Sequence, residues 1–188
     1  LPLPAPPRAN EANPARHFNV GRTVVREVLL RLESLGIIEK DERLRWVITP
    51  LDAQRIRDLY ELRSLVEPAA LRAAASHANP AEVRAMIDAL HKAQRIYPKV
   101  SRTAMDALEH DLHVRLLSQC PNKNLLGSLQ RTRCILPLSK HVLGVSTPMP
   151  ADDPFMSEHL AVLEAVAGGA PRRAADLLRE HLEVSCVK

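Results

Sequence analysis

The chain has 188 residues, 46% of them apolar, and can therefore bury one good core or two small ones. Aromatic residues are few (one Trp, two Tyr and two Phe), whereas Leu and Ala are abundant, which favours helix-on-helix packing over a β-sandwich or barrel. The formal net charge of +4 is too small to indicate nucleic-acid binding by itself. Three widely spaced cysteines and no long apolar run predict a cytoplasmic protein without a disulfide framework or membrane span.

Proline dominates the first 17 residues, LPLPAPPRANEANPARH, which hold five of the fifteen prolines and few large apolar side chains. This composition is typical of an extended or mobile segment. Pro14 can belong to a helix only if it lies in the first turn, because proline lacks the amide hydrogen that later turns require.

The next segment, GRTVVREVLLRLESLGIIEK from residue 21 to residue 40, has the pattern of an amphipathic helix. Five apolar residues recur at three- and four-residue steps and form one stripe: Val25, Val28, Leu29, Leu32 and Leu35. Gly21 is an acceptable N-cap, and Gly36 stands where a left-handed C-cap belongs. Arg22 and Arg26 lie off the stripe near the N-terminus, where a recognition helix meets base edges. Charge spacing alone favours an ordinary surface helix with solvated arginines.

Two short β-prone runs follow, IIEK and RWVITP, on either side of the polar tetrad DERL at residues 41–44. This arrangement predicts a hairpin, and the absence of glycine from its tip disfavours a tight primed turn. Arg43 and Arg45 could contact phosphate or could simply be solvated loop charges.

A second, helical domain is predicted after Pro50, with Asp52 as the N-cap of its first helix. Pro68 is expected to break or kink that helix near Glu67. Five further helical patterns bring the count to about six, over residues 80–95, 101–119, 123–143, 154–167 and 171–186.

Three histidines lie inside these predicted helices, His113, His159 and His181. Glu109 precedes His113 by four residues, so both side chains project from one helical face. Three imidazoles and a carboxylate suit Zn, Ni, Fe or Mn in the divalent state. From spacing alone, scattered surface or core histidines are the commoner interpretation.

The segment from Gly21 to Lys40 closely resembles the winged helix-turn-helix signature of the GntR regulators. The resemblance implies that Arg22, Thr23, Val24 and Arg26 contact operator DNA, and Arg45 of the wing is added to this set as a phosphate contact. In that family a helix precedes the signature, and Pro14 stands where it usually carries a core leucine. No counterpart of a still earlier helix precedes residue 8, so the domain looks shortened at its start.

The second domain resembles FCD, the effector-binding helical bundle of the FadR branch of GntR regulators, in its shorter VanR-like form. Its landmarks are ELRSL, EPAALRAAA, LHVRLLSQCPNKNLL, EHLAVLEAV and AADLLREHL. The resemblance implies metal ligands at Glu109, His113, His159 and His181, with glutamate at the usual aspartate position. Asp106 and His110, one turn earlier, are an alternative pair. Arg63 is expected to bind an effector carboxylate or, equally, to pair with Glu67.

These expectations describe a mainly α protein with a winged helix-turn-helix domain at 1–50, whose segment 1–17 is degenerate or disordered. An antiparallel bundle of about six helices, at 51–188, would bind the effector and form the dimer. The expected function is a homodimeric transcription regulator, not an enzyme, that responds to a small carboxylate held at a divalent transition metal. Two alternatives are a sensor module with a weakened DNA-binding head and a metalloenzyme.

Overall fold

The computed structural model describes the backbone of residues 8–9, 12–50, 52–142 and 154–187, and helices dominate this part of the chain. Its strands are β1 Arg8–Ala9, β2 Ile38–Lys40 and β3 Trp46–Ile48. Its first helices are α1 Ala12–His17, α2 Arg22–Ser34, α3 Ala53–Ala75 and α4 Pro80–Ile96. The later ones are α5 Arg102–His110, α6 Lys123–Ser128, α7 Gln130–Val142, α8 Phe155–Ala167 and α9 Pro171–Val187. The mainly α architecture, a winged helix-turn-helix before a helical bundle, is therefore confirmed.

The winged part is a three-stranded antiparallel sheet, ordered β1-β3-β2, packed on α2. Its small core consists of Val25, Leu29, Ile38 and Trp46. The prediction that Val28 belongs to the buried stripe was wrong, because this side chain is 52% exposed. The sheet of three short strands covers only the part of α2 that carries Val25 and Leu29.

Both ends of α2 have the predicted caps. Gly21 is the N-cap in an extended conformation, and Gly36 follows the helix in the left-handed region with φ +71°. The amide of Gly36 donates to the carbonyl of Glu33, and the amide of Ile37 donates to that of Leu32. These two bonds form a Schellman motif, which turns the chain sharply into β2.

The wing has no glycine at its tip and turns through a left-handed residue instead. Leu44 has φ +57°, and its amide donates to the carbonyl of Asp41 over 2.8 Å. The side chain of Asp41 accepts from the amides of Arg43 and Arg45 and from the Arg45 guanidinium. One carboxylate therefore fixes the turn, and these bonds lower the pKa of Asp41 to about 2.

Helix α1 does form, and Pro14 is its third residue, within the first turn where proline is tolerated. Residues 1–7, 10 and 11, which carry most of the predicted extended segment, lie outside the described part of the chain.

Of the break or kink predicted at Pro68, the break was wrong, because α3 continues from Ala53 to Ala75. Proline costs about 3 kcal/mol in a helix interior. Buried residues continue on both sides of it, from Leu59 to Leu71 and Ala74, and α3 packs along α9 for much of its length. This packing offsets the cost and keeps α3 a single helix.

The bundle core lies among α3, α4, α8 and α9, with the segment after α5 inserted between them. The predicted helix over 101–119 is α5, then a π-helical segment Asp111–Leu116, then a 3₁₀ turn Leu117–Gln119. The predicted helix over 123–143 is two helices, α6 and α7, and residue 143 lies outside the described part. Among the described helices, none combines the length and apolar character that a membrane crossing requires.

Candidate metal centre

Three elements bring the three predicted histidines together inside the bundle. His113 lies in the π-helical segment, His159 on α8 and His181 on α9, and all three side chains are buried. One nitrogen from each lies within 4.8 Å of the others, and the Nε2 atoms of His159 and His181 are 3.3 Å apart. Residues 46 and 22 positions apart in the sequence therefore form one cluster.

Two carboxylates orient two of these rings from behind. The Nδ1 atom of His113 lies 2.6 Å from Oε2 of Glu67, and Nδ1 of His181 lies 2.6 Å from Oε2 of Glu158. A carboxylate only accepts, so each Nδ1 is the protonated nitrogen and donates. The Nε2 lone pairs of His113 and His181 are therefore left to face the centre of the cluster. An imidazole that a carboxylate orients through Nδ1, with its Nε2 facing the centre, is typical of metal sites.

Glu109 supplies a carboxylate on the open side of the cluster. Its Oε1 lies 3.9 Å from Nε2 of His113, and its Oε2 lies 3.9 Å from Nε2 of His159. These distances are too long for hydrogen bonds, but they place one carboxylate against two imidazoles. Three imidazoles and one carboxylate are thus assembled.

The buried nitrogens of the cluster lack enough protein partners. Nε2 of His113 and Nδ1 of His159 are buried, and neither has a hydrogen-bond partner among the described residues. An unsatisfied buried polar atom costs about 1–3 kcal/mol. A divalent cation among the Nε2 atoms would remove the deficit at His113, so the donor set fits a metal.

Burial and neighbouring charge favour the neutral imidazole of His159 and of His181. Burial, with His113 and His181 nearby, holds the pKa of His159 well below its ordinary value. Burial and His113 also lower the pKa of His181, although Glu158 opposes this. Only a neutral imidazole has a lone pair for a metal, so the low pKa values favour the ligating form.

Arg63 and Glu67 form a buried ion pair behind His113. Nε of Arg63 donates to Oε1 of Glu67 over 2.7 Å, and its Nη2 lies 3.7 Å from Oε1 of Glu109. Burial alone would raise the pKa of Glu67, but His113 and Arg63 together lower it. Of the two roles predicted for Arg63, the ion pair with Glu67 is present in the structure. Direct contact with an effector stays a prediction.

The π-helical segment explains how His113 reaches the cluster. A π turn has one residue more than an α turn, so it rotates the following side chains relative to α5. Within the segment Leu112, His113 and Leu116 are buried, and Leu117 follows them into the core. Periodicity of 3.6 residues does not reveal such a turn.

The alternative pair lies on the outside of the bundle. Asp106 is 56% exposed and pairs with Arg102 over 3.5 Å, and His110 is also exposed. Neither belongs to the histidine cluster, so the structure places Glu109 rather than Asp106 beside the imidazoles. The reason is that α5 turns its Leu108 and Glu109 side inward.

Sequence reasoning missed the orienting roles of Glu67 and Glu158. Glu67 was considered only as a partner of Arg63, and the residue that it orients lies 46 positions later. Glu158 directly precedes His159, yet its carboxylate binds His181 on α9. Spacing within one helix could not show either contact.

The predicted DNA-contacting residues are exposed along the first turns of α2. Arg22, Thr23, Val24 and Arg26 all face away from the small core. Arg45 is different, because its Nε and Nη2 atoms lie 2.8 and 2.5 Å from Oδ2 of Asp41. That edge of its guanidinium is already occupied within the wing.

Comparison with known proteins identifies the family to which the chain belongs. The FCD domain family matches residues 58–184. The Nta operon transcriptional regulator of Aminobacter aminovorans is 32% identical over 123 residues, 65% of this chain and 58% of that protein. The HTH-type transcriptional regulator YdhC of Bacillus subtilis (strain 168) is 23% identical over 180 residues, 95% of this chain and 80% of that protein. A GntR transcriptional regulator structure from Rhodococcus sp. RHA1 has TM-score 0.73 at 18% identity, covering 97% of this chain and 86% of that one.

The chain belongs to the FCD domain family. It spans 58% of the length of the Nta operon regulator, with which it shares the highest identity of these three. The relatives are regulators of transcription and not enzymes, which agrees with the prediction from the sequence.

Proposed function

We propose that this protein is a homodimeric, DNA-binding transcription regulator whose operator affinity changes when a small organic acid binds a divalent metal in the bundle. The observation that carries the proposal is the buried histidine cluster, in which Glu67 and Glu158 leave the Nε2 atoms of His113 and His181 facing inward. A cluster arranged only for stability would not leave buried nitrogens without partners.

In this proposal His113, His159, His181 and Glu109 hold the ion. A zinc, nickel, iron or manganese ion with these four ligands would keep open positions for an oxygen of a carboxylate effector. Glu67 and Glu158 hold the imidazole tautomers, and Arg63 holds Glu67 in turn. Phe155, whose ring centroid lies 4.0 Å from that of His159, helps to exclude water.

Helix α3 offers a physical route from this site to the winged domain. Near its start, the Arg55 guanidinium donates to the carbonyls of Gly36 and Pro50. About two turns later the same helix carries Arg63, and about three turns later it carries Glu67. An effector that binds one placement of α3 more tightly than another would therefore change the placement of the winged domain.

Metal analysis of purified variants tests the site. We expect wild-type protein to contain close to one divalent ion per chain, and His159→Ala and His181→Ala to lose most of it. His110→Ala is the matched control, because His110 is an exposed histidine of the same bundle and should leave the metal content unchanged. Equal metal content in all four proteins would refute the metal site.

Selection from a random duplex library tests the DNA-binding part. We expect the protein to enrich a palindromic sequence, since a symmetric dimer presents two recognition helices to two half-sites. Gel shifts at moderate salt should then show preference for that sequence over its scrambled form, because non-specific phosphate binding weakens as salt rises. No enrichment over the starting library would contradict operator recognition.

A further inference from the structure

A second basic side chain of the bundle, on α7, has no assigned partner among the described residues. Arg133 lies on α7, and its Nε and Nη2 atoms are buried without a hydrogen-bond partner in the part of the chain that the structure describes. A guanidinium is charged at any physiological pH, so these donors cannot be silenced by losing a proton. Natural proteins rarely leave buried hydrogen-bond donors of a charged group in this condition.

The position of Arg133 on its helix directs it into the bundle. Leu129, Thr132 and Leu136 are buried, and together with Arg133 they follow the three- and four-residue steps of one helical face. That face packs on α3, where Ile135 and Leu136 cluster with Leu59. The guanidinium therefore sits on an inward face, where sequence periodicity would call for an apolar residue.

Charges of the metal centre reach this guanidinium. Burial lowers the pKa of Arg133, while the charge of Glu67 raises it and that of Arg63 lowers it. Glu67 nevertheless has no hydrogen bond to Arg133; its Oε1 accepts from Arg63, and its Oε2 accepts from His113. The Glu67 carboxylate therefore influences the charge of Arg133 without being its hydrogen-bond partner.

The two free donors have the geometry of a carboxylate receptor. Nε and Nη2 share one edge of the guanidinium plane, and their hydrogens point in the same direction, as a bidentate pair with two acid oxygens requires. In Arg63 the same edge is taken by Glu67 and Glu109. Of these two arginines, Arg133 is the one whose Nε and Nη2 have no hydrogen-bond partner among the described residues.

We infer that Arg133 binds a second acid group of the effector, so that the effector is an organic dianion with one carboxylate on the metal and a carboxylate or phosphate on Arg133. The inference rests on the proposed metal-dependent function and adds the ligand class. It also gives the two arginines different roles: the buried Arg63 positions Glu67, and the partly buried Arg133 contacts the ligand.

Calorimetric titration of zinc-loaded protein with simple acids tests this assignment. The probes are acetate and propionate with one acid group, succinate and glutarate with two carboxylates, and 3-phosphoglycerate with a carboxylate and a phosphate. We expect at least one two-acid probe to bind about tenfold or more tightly than the one-acid probes. Comparing the dicarboxylates with 3-phosphoglycerate shows which second group the site prefers.

Variants of Arg133 give the decisive comparison. Arg133→Met should lower the affinity for the preferred two-acid probe about 30-fold or more, as loss of a buried charge partner does. It should leave zinc content and acetate affinity unchanged. Arg133→Lys keeps the charge without the fork and should lie between wild type and Met; if the Met variant does not fold, Lys carries the test with at least a tenfold loss. Arg131→Met, an exposed arginine of α7, is the control.

Each failure has its own signature. Protein that binds zinc but prefers no two-acid probe, or keeps that preference in Arg133→Met and Arg133→Lys, overturns this inference and leaves the metal site standing. An equal loss of acetate and two-acid binding also overturns it, because the arginine would then act on the whole site. Wild-type protein that takes up no divalent metal overturns the proposed function and this inference with it.

Discussion

The two parts of the molecule place their functional side chains in opposite environments. On α2 the candidate DNA contacts Arg22 and Arg26 are exposed. In the bundle His113, His159 and Glu67 are buried, and the His113 imidazole is hydrogen-bonded to the Glu67 carboxylate. An exposed DNA-contacting side chain can be substituted without disturbing the fold. The buried side chains of the metal centre, in contrast, also take part in the packing of the bundle. Substitutions in the two parts should therefore differ in their effects on stability and on binding.

The largest expected effect comes from removing Glu67. Its carboxylate pairs with Arg63, and both side chains are no more than 5% exposed. Glu67→Ala would leave a buried guanidinium without its main partner, which should lower the free energy of unfolding by about 3–5 kcal/mol. It should also weaken zinc binding about 10–100-fold, since His113 loses its orienting carboxylate. Denaturant unfolding and zinc titration measure the two effects.

Glu158→Ala is the matched control, because Glu158 orients His181 from a side chain that is 28% exposed. Zinc affinity should fall over the same range, but stability should fall much less, since water can replace the lost bond. Equal losses of stability in the two variants would contradict the distinction between a buried and a partly exposed orienting group.

Arginine substitutions on α2 should give the reverse pattern. Arg22→Ala and Arg26→Ala should each weaken binding to the selected operator by about 1–3 kcal/mol. Melting temperature and zinc content should not change. Arg31→Ala, an exposed arginine near the other end of the same helix, should weaken binding less and equally for all sequences. Loss of sequence preference with Arg31→Ala alone would place the DNA contacts elsewhere.

Stability of the metal-free protein should depend on pH through the buried histidines. The pKa values of His159 and His181 are lowered in the folded protein, so the unfolded chain binds more protons as pH falls through about 6.5. Stability should be fully present above that pH and decline below it, by at most about 1.4 kcal/mol per pH unit for each proton. Urea unfolding between pH 8 and pH 5 measures this.

The acidic group Glu67 cannot account for such a decline. Its folded pKa is lowered from 4.5, so its contribution is present above that value and is lost only in more acidic solution. His159→Gln should flatten part of the dependence between pH 7 and pH 5. A metal-free protein equally stable across this range would show that the histidines are more solvated than the structure indicates.

The smallest predicted effect lies in the wing. Leu44 is 77% exposed and adopts φ +57°, a conformation that costs a residue with a Cβ about 1 kcal/mol. Leu44→Gly should therefore stabilise the wing by roughly that amount, and Leu44→Ala, which keeps the Cβ, should not. The melting temperatures of the three proteins provide the comparison, and equal values for Gly and Ala would refute this explanation.

The sequence predicted what depends on one element and missed what depends on several. Helix α2 and its two caps follow from the spacing of its apolar residues and from Gly21 and Gly36, which are local features. The cluster of His113, His159 and His181 came from a family resemblance, because only packing of three elements brings the rings together. The continuous helix through Pro68 could not be predicted either, since contacts with α9 offset a local penalty.

X-ray absorption spectroscopy of zinc-loaded protein is the most direct test of the proposed centre. The account predicts three imidazole ligands with zinc–nitrogen distances of about 2.0–2.1 Å, together with oxygen ligands from Glu109 and from added carboxylate. In His159→Ala the imidazole number should fall to two. Thiolate scattering, or an imidazole number that His159→Ala does not change, would contradict the claim that the three bundle histidines hold the ion.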